Sequence, residues 1–222
     1  MSAELRRSAS GQPPVVVQVW GPGALFTRPE FRVERLTYPV MTPTAAIGVL
    51  ESIFWKPEIS WDPVAIEVLR DIRQFTLRRN ETSDLPSLTD AVRNGRRIDT
   101  VRHRDQRNAV CLREVAYRIH AHVEVSAAAK NEAAYRDQFR RRVRRGQCFQ
   151  QPYLGTREFP AYFSDPDGTP ARPLDDDLGL MLHRIHHGPP VRFDWFHARL
   201  DRGVLHVPRT GITGPAIPGE VA

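Results

Sequence analysis

Lysine is nearly absent from this sequence: of 32 basic residues only Lys56 and Lys130 are lysines, and the rest are arginines. Cysteine is equally scarce. Cys111 and Cys148 are too few for a disulfide scaffold, so the chain reads as reduced and cytoplasmic. No run approaches the roughly 18 consecutive apolar residues that a membrane span requires, and the segment Met1 to Arg7 lacks the apolar stretch of a signal peptide. No membrane association is expected. There is no repeat at a solenoid period and no low-complexity tract. A glycine-rich nucleotide loop and paired carboxylates at a telling spacing are missing too, which counts against a small-molecule enzyme. His183, His186 and His187 come nearest to a metal motif. Read as a strand, their segment puts 183 and 187 on one face and 186 on the other, with no cysteine or carboxylate to complete a ligand set. Neither a metal nor another cofactor is expected, and Asp175 to Asp177 reads as an exposed loop.

What is present is positive charge. A net charge of +6 and an isoelectric point near 9.9 favour a polyanionic partner, because neutralised phosphates release condensed counterions. Arginine's planar fork suits phosphates and stacks on bases. A GC-rich genome also writes arginine for lysine, so net charge alone leaves nucleic-acid binding open.

At 222 residues the chain can bury a substantial core. Residues 1–14 read as a flexible tail. Val15 to Trp20 is a β-branched run closed by Gly21-Pro22-Gly23, a strand entering a turn. Thr42 precedes Pro43 as an N-cap, and Ala46, Ile47, Leu50, Ile53 and Phe54 recur at helical spacing up to Pro57. Ala65 to Arg79 reads as one long strand, and the arginine-rich residues 80–109 as a loop excursion. A second long strand alternates cleanly: Val115, Tyr117, Ile119, Ala121 and Val123 share one face, and Glu114, Arg118, His120, His122 and Glu124 the other. A helix from about Lys130 to Arg145 carries Tyr135, Phe139 and Val143 in one stripe, with Gly146 as its cap. Strand-like segments follow around Tyr153, Tyr162, Leu180 to Ile185, Val191 to Leu200 and Val204 to Val207. The expected fold class is α+β. A ferredoxin-like βαββαβ core, akin to RNA-recognition motifs, spans 15–163 and leaves one sheet face free; a β-rich C-terminal extension spans 164–222.

A series of motifs then narrows the reading. Val19 to Pro29, Tyr38 to Ala46, Ile53 to Pro57, Arg73 to Glu81, Ala121-His122, Arg145 to Phe149, Pro152 to Gly155, Arg157 to Phe159 and Asp177 to Leu182 occur in order between about residues 15 and 208. This series closely resembles the fifth CRISPR-associated (Cas) family in its type I-C form. The resemblance implies a repeat-associated RNA-binding subunit of the Cascade antiviral complex. Such a subunit cleaves the repeat hairpin of the precursor guide RNA (pre-crRNA) without metal and stays on the 5′ handle of the crRNA. It sits beside the large and backbone subunits, in possible proximity to target DNA.

Metal-free RNA cleavage needs a 2′-hydroxyl deprotonated and in line with phosphorus, cationic help at the phosphate, and a proton for the leaving oxygen. The resemblance implies a catalytic tyrosine at the position of Phe54 and a Lys–His pair at Ala134-Tyr135, so all three positions have changed. Two substitutes are open: Tyr135 with Lys130 or Arg136 as the cation, or His122 or His120 as the base. The ordinary structural roles are a helix-core Tyr135 and a hydrogen-bonded strand His122. Candidate RNA contacts are the stacking rings Phe26, Tyr38 and Trp55 (the last equally readable as closing the core beneath the helix end), the residue Phe54, and the cations Arg28, Lys56, Arg78, Arg79, Arg140, Arg141, Arg144 and Arg145. With Arg142 the last four form a run of five arginines in six positions; a solvated helix end accounts for part of it, but five exceed what a cap requires, so phosphate contact is the preferred reading. Three functions follow for test: a guide-processing endoribonuclease that becomes an assembly subunit, a catalytically inactive subunit capping the 5′ handle, and a small-molecule enzyme on the same scaffold.

Overall fold

A computed structural model of the chain describes residues 5–31, 33–84, 87–97, 99–126 and 131–214. The fold is mixed α and β, a mainly antiparallel sheet with few helices. In chain order the elements are β1 (Val15–Ala24), β2 (Arg35–Leu36), α1 (Pro43–Ile53), β3 (Ile59–Val68), β4 (Gln74–Thr82), α2 (Leu88–Asn94), β5 (Arg104–Val125), α3 (Glu132–Arg144), β6 (Tyr162–Ser164), β7 (Asp176–His186), β8 (Arg192–Asp201), β9 (Val204–His206) and β10 (Ile212–Gly214). The sheet path runs β10-β8-β9-β3-β5-β1-β6, with β2 and β4 added to β5 and β7 to β8.

The core forms where the alternation of β5 meets that of β1. Val15, Val17 and Val19 lie opposite Ala121, Ile119 and Tyr117, and all six are buried. Helices α1 and α3 cover this face: Trp61 meets Phe139 with ring centroids 4.7 Å apart, and Leu50, Ile53, Phe54, Phe139 and Val143 join the same apolar cluster. Helix α1 begins as its sequence dictates. The Thr42 hydroxyl accepts from the Ala45 N–H at 3.2 Å, and Pro43 occupies the first turn. The C-terminal β7–β8 hairpin closes over α1, where the Tyr38 hydroxyl accepts from the Leu182 N–H at 3.3 Å. Burial pushes the Tyr38 phenol up to about 12, so it stays protonated.

Four expectations are corrected. Gly21-Pro22-Gly23 is not a turn: β1 runs through it, with Gly21 opposite Val115 and Gly23 opposite Arg113. The glycines are there for close approach, since a Cβ at 21 would lie 2.8 Å from both Leu154 and the Pro160 carbonyl, and one at 23 would lie 2.7 Å from the Phe159 ring. Ala65 to Arg79 is two strands rather than one. β3 pairs with residues 117–125 of β5 and β4 with 104–112; between these halves β5 carries a left-handed Glu114 at φ 50°. Residues 80–109 are not a loop either. They extend the β4–β5 ladder and add α2, capped by the Ser87 hydroxyl. A two-stranded arm with both faces wet needs no apolar alternation, so the period-2 signal disappears from its sequence.

The fourth correction concerns the polar sheet face, which is covered over much of its length. The residues read as a flexible tail lie across it from Leu5 onward. Arg6 forms a two-pronged ion pair with Asp62 at 2.7 and 3.2 Å, and its carbonyl accepts from His122 Nε2 at 2.8 Å; nearer β1 the segment meets α3, where the Pro13 carbonyl accepts from Arg136 at 2.7 Å. Further along, the Thr169 carbonyl accepts from Arg118 at 2.6 Å, and Gln18 donates to Asp167 at 2.9 Å.

Under this cover Glu67 accepts from Arg118 at 2.6 Å and from His120 Nε2 at 2.7 Å. Burial alone would raise the Glu67 carboxyl, but His120 and Arg118 outweigh it and the net direction is down. A depressed carboxylate adds stability above its unfolded value of about 4.3 and loses it as pH falls through the folded value. Glu67→Gln should therefore cost about 2 kcal/mol near neutral pH. The gap should close towards pH 3 or so, read by thermal melts across that range; a pH-independent gap would remove the charge argument.

Candidate nucleic-acid interface

The last carbonyls of a helix need partners from outside it, and those of α1 find them in ways that build a surface. The Ser52 carbonyl accepts from the N–H groups of Phe149 at 2.7 Å and Gln150 at 3.1 Å. The Ile53 carbonyl accepts from the Arg142 guanidinium at 2.9 Å. The Phe54 carbonyl accepts from the Trp61 indole at 3.1 Å. The bonds from Arg142, Phe149 and Gln150 dock the end of α3 and the loop after it onto the end of α1, and the Trp61 bond ties that end to β3. Helix α3 stops where Arg145 and Gly146 turn back, the latter at φ 62°, and the Gln147 N–H bonds the Arg142 carbonyl at 2.9 Å.

Phe54 is the hub of the result. Its ring is fully buried, with the Arg142 guanidinium 5.3 Å from the ring centroid and the Tyr135 ring 6.4 Å away. Tyr135 is half-buried and packs on the core edge. Next to the hub, Trp55 and Phe149 form an aromatic pair on the surface, 6.4 Å apart and 49% and 67% exposed. Lys56, Arg141, Arg144 and Arg145 are exposed on the same connected segments. Arg140 is exposed beside Asp137 at 3.7 Å.

The other sequence candidates fall elsewhere. Phe26 and Tyr38 are core residues, packed edge-on to Tyr117 and under β7 respectively. They have no ring face to offer a base, which corrects the expectation that they stack on RNA, and the buried Phe54 ring is no more accessible. Arg28 lies 4.4 Å over Tyr38 and 3.6 Å from Glu30. Arg78 and Arg79 are on the β4 arm, Arg79 paired with Glu158. His122 is only 3% exposed and spends its Nε2 proton on Arg6. It alternates with Ala121 and Val123 of the core face, so it lies across the sheet from Tyr135, and the fold does not bring the two together. Lys130 lies outside the described residues. His183 and His186 are bonded to the Pro208 carbonyl and to Asp194 at 2.8 and 2.6 Å, and among the described residues no group of three His, Cys, Asp or Glu is placed to hold a metal. None of the described helices is long and apolar enough to cross a membrane. Sequence reasoning missed Phe149 and the part played by Arg142, because both depend on how the α3 end docks on α1.

Comparison with known proteins gives the family of the chain. The Cas5d family model, described as CRISPR-associated protein (Cas_Cas5), matches residues 15–208. The chain belongs to this family. The CRISPR pre-crRNA endoribonuclease Cas5d of Mannheimia succiniciproducens is 42% identical over 212 residues, covering 86% of this chain and 93% of that protein. The protein of the same name from Thermus thermophilus is 42% identical over 214 residues, covering 86% and 90%. A solved structure titled "Crystal Structure of CRISPR-associated Protein" shares the fold, with a TM-score of 0.66 at 22% identity over 90% of this chain and 95% of that one. Within the Cas5 frame, positions 54 and 135, separated by 81 residues of sequence, sit against one another.

Proposed function

We propose that the protein binds the repeat of the CRISPR precursor RNA at the joined ends of α1 and α3, and cuts it there without a metal ion. The observation that carries this reading is the convergence of Phe54, Tyr135 and Arg142 beside the exposed pair Trp55 and Phe149. Unpaired bases would stack on Trp55 and Phe149, and Arg141, Arg144 and Arg145 would hold phosphates. The scissile 2′-oxygen attacks the adjacent phosphorus, the P–O5′ bond breaks, and a 2′,3′-cyclic phosphate and a 5′-hydroxyl result. The 2′-hydroxyl gives its proton to solvent water as it attacks, Tyr135 donates a proton to the leaving O5′, and Arg142 stabilises charge on the phosphate. The 42%-identical relatives named pre-crRNA endoribonucleases support this assignment.

The finer picture belongs to the same proposal: a type I-C subunit that keeps the crRNA 5′ handle after cutting and joins the Cascade backbone and large subunits, near target DNA. A ferredoxin-like core is supported by the antiparallel order β6-β1-β5-β3 with α1 and α3 in the connections. The phenylalanine at 54 favours one alternative, a subunit that binds the handle and does not cut.

Incubating the purified protein with end-labelled repeat hairpin in EDTA separates the two. A single cut ending in a cyclic phosphate is expected. A hairpin bound but uncut would leave only the capping role. Replacing Trp55 and Phe149 together by alanine should weaken hairpin binding by about 30-fold or more, from the loss of two stacked bases; unchanged affinity would move the interface elsewhere.

A further inference from the structure

The cover over the polar sheet face stops short of its far end, and what it leaves open is a second place for a nucleotide. Along β1 this face presents Val16, Gln18 and Trp20, opposite His120, Arg118 and Ala116 of β5. Gln18 is buried under the 165–170 segment, to whose Asp167 it is bonded, whereas Val16 and Trp20 stay partly exposed. Trp20 stands across from Tyr162 of β6 in register, with ring centroids 6.1 Å apart and planes 29° from parallel. Tyr162 is 56% exposed. At 6.1 Å no base fits between the rings, so a base would stack against the pair from outside. A recess of ≈ 210 Å³ lies there, lined by Trp20, Ala116, Leu69, Arg70 and the hydrogen-bonded pair Gln18 and Asp167, among others.

Leu69 and Arg70 also line the neighbouring recess of ≈ 280 Å³, where Arg73, Arg113 and Arg172 join Arg70. Two carboxylates, Asp71 and Glu114, line it as well. Asp71 is taken by Arg172 at 2.8 Å and Arg73 at 3.8 Å. Among the described residues neither Arg70 nor Arg113 has a carboxylate within salt-bridge distance, and Arg113 leans on the Phe75 ring at 5.5 Å. An aromatic stack joined through shared walls to a four-arginine recess has the chemistry of one unpaired nucleotide, a flat apolar base and an anionic phosphate.

We infer that this groove binds an unpaired nucleotide of a single strand, base on Trp20 and Tyr162, phosphate on Arg70 and Arg113. It lies on the sheet face opposite α1 and α3, and it rests on the function proposed above only in taking nucleic acid as the polyanion.

The test is titration of the full chain with unstructured, end-labelled single strands of about a dozen nucleotides, RNA and matched DNA, at two salt concentrations. Trp20→Ala should lower affinity about tenfold, with Trp20→Phe restoring it to within about twofold. Arg70→Glu with Arg113→Glu should lower affinity and flatten its salt dependence. Equal affinity for RNA and DNA supports recognition of base and phosphate alone, and a preference for RNA supports the same groove with a 2′-hydroxyl contact added. Unchanged affinity in both folded variants overturns the inference, as does inorganic phosphate competing as strongly as the strand. Hairpin cutting in EDTA is read on the same preparations. Single-strand binding lost in Trp20→Ala with cutting intact supports the groove by itself, and single-strand binding retained overturns it whatever the cutting does.

Discussion

Tyr135→Phe lowers single-turnover cleavage of the repeat hairpin by about a hundredfold or more and leaves hairpin binding within about twofold. The size follows from what is removed: one phenolic hydroxyl that exchanges a proton with the reacting oxygens, a contribution that ordinarily runs from about 10² to 10⁴ in rate. The ring itself stays, and with it the packing against Phe54 and the core edge, so folding and RNA docking are spared. Phe54→Tyr is the companion experiment. It returns a hydroxyl to the position where the family resemblance implies one, and faster cutting would show that the site tolerates a phenol at either place. A Tyr135→Phe protein that cuts at the normal rate would assign the proton transfer to another group.

Gly155→Ala prevents stable folding, with an expected loss above about 3 kcal/mol. Gly155 has φ of 86°, a conformation that side chains other than hydrogen rarely adopt, and an added Cβ would stand 2.0 Å from the Leu25 carbonyl oxygen. The obstacle is backbone, so no rotamer change relieves it. The same turn also holds the next bond in place, in which the Leu25 N–H donates to the Leu154 carbonyl at 3.0 Å. Denaturant melts of the two proteins read the effect directly. A loss below about 1 kcal/mol would mean that the loop after Gln151 moves aside freely.

The elements that carry an uninterrupted period were legible in the sequence. The apolar stripe of β5 and the Tyr135, Phe139, Val143 stripe of α3 emerge on the faces their spacing dictates, as does the Thr42-Pro43 start of α1. The β4–β5 arm was not legible, because a ladder wet on both faces has no reason to alternate. Gly21-Pro22-Gly23 misled for a related reason. Local turn chemistry and close packing select the same residue, and only the Leu154 and Phe159 side chains, over 130 residues away, tell them apart. In the candidate site, Trp55 and the arginines of α3 could be read as surface. Phe26 and Tyr38 could not be separated from it, since an aromatic ring looks the same in sequence whether it lines a core or a groove. His122 was on the correct strand face, but the tail that silences it lies more than a hundred residues upstream, and no periodicity couples the two.

The claim on which the rest depends is that RNA is gripped where α1 and α3 end. Ultraviolet crosslinking of labelled repeat hairpin to the full-length protein, followed by mass spectrometry of the peptides, addresses it without any substitution. Adducts on Trp55 and Phe149, competed away by unlabelled hairpin, are the predicted result. Adducts confined to the β4–β5 arm or the polar sheet face, with both of those rings unmodified, would contradict it.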